Sequence, residues 1–97
     1  MFVVILKATI GDLGQEYTEA LEQMKRLAFE EYGCLEFTAM MDGNKRMALS
    51  YWESEEQIRN WKQNCEHLKT QDQAQKTWYK SYSVQVAEIT REYSFST

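Results

Sequence analysis

Residues 50–82 read SYWESEEQIRNWKQNCEHLKTQDQAQKTWYKSY, and the rest of the chain is organised around this stretch. It contains His67, the single histidine of the sequence, and six large rings: Trp52, Trp61, Trp78, Tyr51, Tyr79 and Tyr82. The rings occur at helical spacing among Glu, Gln, Lys and Asn. That mixture favours a helical wall that is partly core and partly the lining of a pocket, so we expect the functional residues here.

The overall composition limits the classes of protein that fit. Ninety-seven residues predict one domain over 1–97, small enough for a partner subunit to help bury apolar surface. The net charge is −4 with no basic cluster, which excludes nucleic acid as a partner, because that binding needs Lys and Arg to neutralise phosphates. The apolar run 2–6 is too short to cross a membrane, so we expect no membrane partner either.

The cysteine positions and the lack of known catalytic motifs argue against several kinds of active site. Cys34 and Cys65 lie far apart and match no metal-ligand spacing. With no secretory signal they are typical of reduced thiols in a cytoplasmic protein. One histidine offers too few ligands for a metal site, and the sequence has neither a Gly-rich phosphate loop nor a Gly-x-Ser-x-Gly elbow. We therefore predict a cytoplasmic protein without a bound metal.

The first half of the chain predicts a strand, a helix and a hairpin. Residues 2–10 are rich in β-branched side chains and apolar on both faces, which predicts a strand buried on both sides. Residues 15–32 carry an apolar stripe in steps of three and four, a helix that ends at Gly33. Residues 34–41 and 46–53 alternate and flank Asp42-Gly43, a typical hairpin turn.

The second half predicts two helices and a last strand. Ser54 and Gln57 form a capping-box pattern before a short helix over 55–63, which we expect to break at Asn64 or Cys65. A third helix is predicted over 66–82. Its inner stripe is unusually polar, with Gln71 and Gln75 where aliphatic residues are expected, so its middle either overlooks a cavity or lies loosely packed on the surface. Residues 83–93 alternate again and predict the final strand.

The element order is βαββαβ, with the second helix split. This is the ferredoxin-like plan, an α+β fold with a four-stranded antiparallel sheet and helices on one face. The other face of the sheet then needs a cover. Val3, Ile5, Ala48 and Trp52, or the residues opposite them, supply apolar side chains for it. A second copy of the chain is the simplest cover, so we predict a homodimer through the open sheet face.

A family resemblance rests on the most specific part of this pattern. Its residues are the run YWESEE over 51–56, then Ile58, Trp61, Lys62, Glu66, His67, Trp78 and Tyr79. The chain resembles the antibiotic biosynthesis monooxygenase (ABM) family of dimeric α/β barrels over nearly its whole length. The resemblance implies a pocket between helices and sheet in each subunit. It also implies either oxygenation of quinols or polyketide aromatics without flavin or metal, or degradation of haem.

The haem branch of that family can be compared residue by residue. The resemblance includes its helical tryptophan, here Trp61, but the haem-ligating histidine ten residues later is replaced by Gln71. The family's first-strand asparagine is also missing, since no Asn precedes Asn44. His67 lies one helical turn before that position. It is open as a shifted haem ligand, as a surface or capping residue, or as a base in the pocket.

The residues themselves suggest roles in oxygenation. His67 has the intrinsic pKa of a base that deprotonates a phenol or quinol, and we predict it as the catalytic residue. We predict substrate binding by Trp61, Gln71, Trp78, Tyr51 and Tyr82, the rings by stacking and the polar groups by hydrogen bonding. Plain core packing is the competing reading for each ring. The leading hypothesis is a monooxygenase that oxidises an aromatic small molecule with O2 and no cofactor. The alternatives are haem binding or degradation, or a dimer that binds an apolar ligand without catalysis.

Overall fold

The computed structural model describes residues 1–11, 15–71 and 79–97, with side chains described for 1–11, 17–64 and 79–97. The described elements follow the order β1 Phe2–Ile10, α1 Gln15–Glu30, β2 Glu36–Asp42, β3 Lys45–Trp52, α2 Glu55–Gln71 and β4 Tyr79–Glu88. The four strands form one antiparallel sheet in the order β2-β3-β1-β4. This is the ferredoxin-like α+β fold, and the predicted fold class is confirmed.

The central strand β1 sets the register of the sheet. It pairs with β3 from Phe2↔Trp52 to Thr9↔Lys45 and with β4 from Phe2↔Glu88 onward. Its β-branched residues suit a strand that has neighbours on both edges. Residues that face each other across antiparallel strands share one side of the sheet, so this register decides which side chains meet the helices.

Two glycines supply the sharp turns. Gly43 has a φ of +62° at the first central position of the two-residue β2–β3 turn, as a type II′ hairpin requires. Gly33 has a φ of +84° just beyond α1. A Cβ at position 33 would lie 2.7 Å from Nε2 of Gln57 on α2, so Gly33 also allows a close approach of that side chain.

Helix α2 differs from the prediction in two ways. It runs without a break through Asn64 and Cys65, so the predicted split is wrong. These two residues lower helix propensity only slightly and neither is Gly or Pro, so nothing local forces a break. The predicted start is present: the Ser54 hydroxyl accepts a bond from the Gln57 amide at 3.3 Å, and the Gln57 side chain accepts one from the Glu53 amide at 3.3 Å.

The predicted third helix over 66–82 is also wrong at its end. Tyr79 begins β4, which pairs with β1 at Ile10↔Tyr79 and continues through Ala8↔Tyr82. The free edge of β1 offers backbone hydrogen bonds that override the local helical pattern. Residues 72–78 of the predicted helix lie outside the described part of the chain.

The helices cover one face of the sheet. One core cluster there contains Val4, Ala28, Cys34, Trp52 and Ile58. A second cluster, at the opposite end of β1, contains Ile10 and Tyr17. Strand alternation places Ala48 and Trp52 on this covered face. The grouping of Ala48 and Trp52 with Val3 and Ile5 on a single face is therefore wrong.

The other face of the sheet has no helix on it. Strand pairing places Val3 beside Tyr51, Ile5 beside Leu49 and Lys7 beside Met47 on this open face. All but Lys7 are half-buried within the single chain. Within the described residues, no helix is both long and apolar enough to cross a membrane.

Candidate functional site

A cavity of about 380 Å³ lies between the helices and the covered face of the sheet. Both helices and all four strands contribute to its wall, which is mainly aliphatic and aromatic and includes Leu6, Leu21, Met24, Phe37, Trp61 and Val84. The volume falls in the range of small-molecule sites. The cavity lies between the two core clusters, because Leu6 and Ala48 occupy the middle of their strands.

Trp61 of α2 is held firmly in the wall. Its indole nitrogen donates a hydrogen bond to the Met24 carbonyl oxygen of α1 at 3.0 Å. Its ring centroid lies 5.1 Å from that of Trp52 and 6.2 Å from that of Phe37, the latter edge to face. These contacts fix the ring plane while the side chain stays half-buried and borders the cavity. A ring held this way is suited to stacking on a flat ligand.

At the Trp52 end of the covered face, the side chains are buried in a packed core cluster. Trp52 is 0% exposed, and its indole nitrogen donates to the Ser50 hydroxyl at 2.9 Å. Cys34, in the same cluster, donates from its thiol to the Glu36 carbonyl oxygen at 3.2 Å. Burial raises the pKa of this thiol, with backbone hydrogen bonds acting in the opposite direction. The buried polar groups named here are therefore paired.

Tyr79 and Tyr82 border the other end of the cavity, and Tyr17 packs against Tyr79 there. The Tyr79 hydroxyl donates to the Tyr17 hydroxyl at 3.4 Å, and the two rings meet edge to face at 5.9 Å. The ring of Tyr82 lies 5.9 Å from that of Tyr79. Burial, and then the hydrogen bond to Tyr17, raise the pKa of Tyr79 well above its usual value of 10. Tyr79 therefore acts as a neutral hydroxyl at this end.

Arg46 is the unusual residue of the tyrosine end. It lies on β3 facing the helices and is only 6% exposed, with its guanidinium carbon 5.4 Å from the centre of the Tyr17 ring. Its Nε and Nη2 atoms are buried and have no hydrogen-bond partner among the residues that the structure describes. Burying a charge costs several kcal/mol, whereas a desolvated cation–π contact returns about 2 kcal/mol. The contact with the Tyr17 ring therefore does not offset the burial of the two unpaired nitrogens.

A second, more open cleft of about 800 Å³ lies mainly on the open face of the sheet, beside the β2–β3 turn. Arg46, Lys7 and Lys45 border it, with Asp42 as an acidic neighbour. Tyr82 borders both the cleft and the cavity, and its side chain is 60% exposed. The cavity and the cleft thus lie mainly on opposite faces of the sheet, with Tyr82 contributing to both.

The predicted site residues fall in three groups. Trp61 and Tyr82 border the cavity, although Tyr82 projects from β4 and not from the predicted helix. Tyr51 is not brought to the cavity, because alternation along β3 places it on the open face beside Val3. His67 and Gln71 belong to α2, but their side chains lie outside the described residues.

Trp78 lies wholly outside the described part of the chain. The binding and catalytic roles of all six residues therefore stay predictions. Sequence reasoning also missed Arg46 and Tyr17, one counted as a hairpin residue and the other as core. The available signal was the period of two along β3, which places Arg46 on the same face as Ala48, Ser50 and Trp52.

Ligands for a metal or haem are sparse in the described residues. No group of three or more His, Cys, Asp or Glu side chains among them is arranged to hold a metal ion. Haem iron is held by His, Cys, Met or Tyr. The described wall offers Met24, Tyr79 and Tyr82, of which Tyr79 is engaged by Tyr17. The described residues therefore do not single out a haem ligand.

Fold and cavity together define a class, a small ferredoxin-like domain with a site for a small molecule between its helices and its sheet. The family model described as antibiotic biosynthesis monooxygenase matches residues 1–73. The chain belongs to this family, as its resemblance implied.

Similar proteins agree with this assignment. The chain is 30% identical over 95 residues to the uncharacterized protein YqjZ of Bacillus subtilis (strain 168), covering 97% of this chain and 83% of that one. Its fold is similar to that of a variant of SnoaB, a cofactor-independent oxygenase from Streptomyces nogalater. The TM-score is 0.74 and the identity 11%, over 94% of each chain.

A variant of MhuD, with two manganese protoporphyrin IX molecules bound per active site, is similar with a TM-score of 0.58. The identity is 18%, over 96% of this chain and 99% of that one. At these identities the two structures show a shared fold alone.

Proposed function

We propose that this protein is a monooxygenase that oxidises an aromatic or quinol-like small molecule with O2 and needs neither flavin nor metal. The main support for the proposal is the apolar cavity, whose wall includes Trp61 with its ring held by a hydrogen bond to Met24. Membership of the family and the fold shared with cofactor-independent SnoaB support the reaction class.

The reaction needs little from the protein beyond a base and a dry pocket. A base removes the phenolic proton, and the electron-rich anion passes one electron to O2. The resulting radicals combine at a ring carbon, and the hydroperoxide loses water to leave a carbonyl group. One oxygen atom enters the product and the other leaves as water, so a ring C–H and a phenol O–H become two quinone carbonyls. An apolar cavity favours the step by excluding bulk water.

We assign His67 as the base in this proposal, since its ordinary pKa lies near neutrality. Trp61 and Trp78 stack on the ring of the substrate, and Gln71 and Tyr82 orient its oxygen atoms. The position of Trp61 and Tyr82 at the cavity supports their part of the assignment. Tyr51, on the open face, is assigned to the subunit contact described next.

We further propose that two copies pack through their open sheet faces. The support is the half-buried apolar set on that face, which includes Val3, Ile5, Met47, Leu49 and Tyr51. An aspartate at the centre of this set, Leu49→Asp, is expected to yield monomers in sedimentation velocity. Phe29→Asp places the same charge at an exposed apolar position on α1 and is the matched control. A wild-type protein that sediments as a monomer at micromolar concentration contradicts the proposal.

The predicted cytoplasmic location is part of the same proposal, supported by the buried thiol of Cys34, which forms no disulfide. Cell fractionation with antibody detection tests it, and recovery of the protein outside the cytoplasm would contradict it.

The decisive experiment for the reaction is an oxygen-electrode screen of phenols, naphthols and their quinols with the purified protein and a chelator. We expect oxygen uptake that saturates with one substrate class and continues in the chelator. His67→Ala should abolish turnover, while Gln63→Ala, an exposed change on the same helix, should leave it intact. Persistence of turnover in His67→Ala would show that His67 is not the base.

Two further measurements on the same protein test the alternatives. A haemin titration that produces a saturable Soret band, which bleaches with reductant in air, indicates the haem branch. Tight binding of an aromatic ligand without oxygen uptake or haem binding indicates a non-catalytic binding protein. Either result replaces the cofactor-independent monooxygenase.

A further inference from the structure

The buried guanidinium of Arg46 has no role in the proposed reaction. A buried cation without hydrogen-bond partners destabilises a fold unless something else compensates it. Among the residues that the structure describes, no carboxylate or carbonyl pairs with Nε or Nη2. Its recorded contact is the face of the Tyr17 ring. The planar fork of donors on Arg46 is therefore complementary to an oxyanion that the described residues do not supply.

The position of Arg46 connects it to the cavity. It lies on the same face of β3 as Ala48 and Ser50, both of which border the cavity. The ring of Tyr17, on which it stacks, is hydrogen-bonded through its hydroxyl to Tyr79 in the cavity wall. Arg46 is therefore the next residue beyond Ala48 on this face of β3, toward the end of the cavity that Tyr79 and Tyr82 border.

We propose that Arg46 is the counter-ion for a negatively charged oxygen group, a carboxylate or an ionised phenol, on the aromatic ligand of this cavity. The proposal rests on the proposed function in using the same cavity. It deepens that function by naming the class of substrate: a flat, apolar aromatic that carries one oxyanion.

The rest of the site is consistent with this charge. Tyr79, neutral at this end, donates its hydroxyl hydrogen to Tyr17 and can turn it toward an oxyanion instead. The apolar remainder of the cavity strengthens a charge-assisted hydrogen bond by excluding water.

The test compares matched acids and amides by isothermal titration calorimetry, without turnover. The pairs are benzoate and benzamide, 2-naphthoate and 2-naphthamide, and anthracene-2-carboxylate and its amide. We expect the wild-type protein to bind at least one acid more tightly than its amide by roughly tenfold to a hundredfold. Equal affinities within every pair, or no saturable binding of any acid, overturn the proposal.

Variants at position 46 show whether Arg46 causes the preference. Arg46→Met should abolish the preference for the acid and leave the affinity for the amide unchanged. Arg46→Lys keeps the charge but loses the fork, and should retain part of the preference. Arg59→Met, at an exposed position on α2, is the matched control and should bind like wild type. A preference that survives Arg46→Met excludes Arg46 as the counter-ion.

Thermal unfolding separates a binding role from a structural one. Without ligand, Arg46→Met should melt at or above the wild-type temperature, because an apolar chain replaces an unpaired buried charge. A fall of several degrees would show that Arg46 stabilises the ligand-free fold and would overturn the proposal. If the protein prefers the acids but takes up no oxygen, the monooxygenase proposal fails and the counter-ion proposal stands. If it takes up oxygen with neutral phenols and shows no preference for the acids, the counter-ion proposal fails and the monooxygenase proposal stands.

Discussion

The two ends of the helix-covered face use buried polar groups in opposite ways. At one end the Trp52 indole is 0% exposed and its nitrogen is paired with the Ser50 hydroxyl. At the other end the Arg46 guanidinium is 6% exposed, and two of its nitrogens are unpaired among the described residues. Arg46 and Trp52 lie on the same strand, six residues apart. The polar group at the Trp52 end is thus satisfied within the protein, whereas two donors of Arg46 have no partner among the described residues and, in our proposal, bind the ligand.

The largest expected effect is at the Trp52 end. Trp52→Ala removes the largest buried ring from a cluster that includes Val4 and Ile58. We expect a loss of about 3–5 kcal/mol in the free energy of unfolding, measured by urea denaturation. Arg46→Met, at the opposite end, is the comparison and should cause no loss. A loss below about 1 kcal/mol for Trp52→Ala would mean that the two ends do not differ in this way.

The next largest loss of stability is expected in the loop after α1, which contains Cys34 of the Trp52 cluster. Gly33→Ala combines a positive φ with a Cβ 2.7 Å from the Gln57 side chain. We expect a loss of about 2 kcal/mol in denaturation experiments, mainly from the positive φ, because the Gln57 amide ends a flexible side chain and can move. Gly43→Ala is the matched control, because its φ is also positive but no atom lies within 4 Å of the added Cβ. Equal losses for the two variants would show that contact with Gln57 adds nothing.

A smaller loss of stability is expected when the Trp52 indole loses its hydrogen-bond acceptor, the Ser50 hydroxyl. Ser50→Ala leaves the Trp52 nitrogen buried without its acceptor, which should cost about 1–2 kcal/mol. Ser83→Ala, at an exposed position on β4, should be nearly neutral in the same denaturation experiment. No difference between these variants would indicate that the indole finds another partner.

The smallest effect at neutral pH is expected at the tyrosine end. Tyr79→Phe removes one hydroxyl-to-hydroxyl bond and should cost less than about 1 kcal/mol at pH 7. The pKa of Tyr79 is raised in the folded protein, so the unfolded chain loses this proton first as pH rises above 10. The unfolded state then binds fewer protons than the native state, and stability falls with pH.

Tyr79 therefore contributes stability that is present below pH 10 and is lost as pH rises toward the raised pKa. Denaturation curves at pH 9 to 11.5 should show a steeper decline for wild type than for Tyr79→Phe. Parallel declines would mean that burial does not hold Tyr79 neutral.

Local sequence was sufficient wherever local physics decides the structure. The β-branched run of β1, the apolar stripe of α1 and the Asp42-Gly43 turn each predicted their element to within a few residues. The helical spacing around Trp61 likewise placed that ring beside a cavity. The start of β4 was missed, because Tyr79 and Tyr82 suit a helix or a strand locally, and the free edge of β1 selects the strand.

The sequence by itself determined the alternation along β3, which sets Arg46, Ala48, Ser50 and Trp52 on one face and Tyr51 on the other. Which helix residues pack against that face was decided only by the tertiary structure. Helix α1 brings Tyr17 over Arg46, while α1 and α2 together enclose Trp52. The physical reason is that period and propensity act between neighbours along the chain. Pairing or isolation of a buried polar group depends instead on segments far apart in sequence.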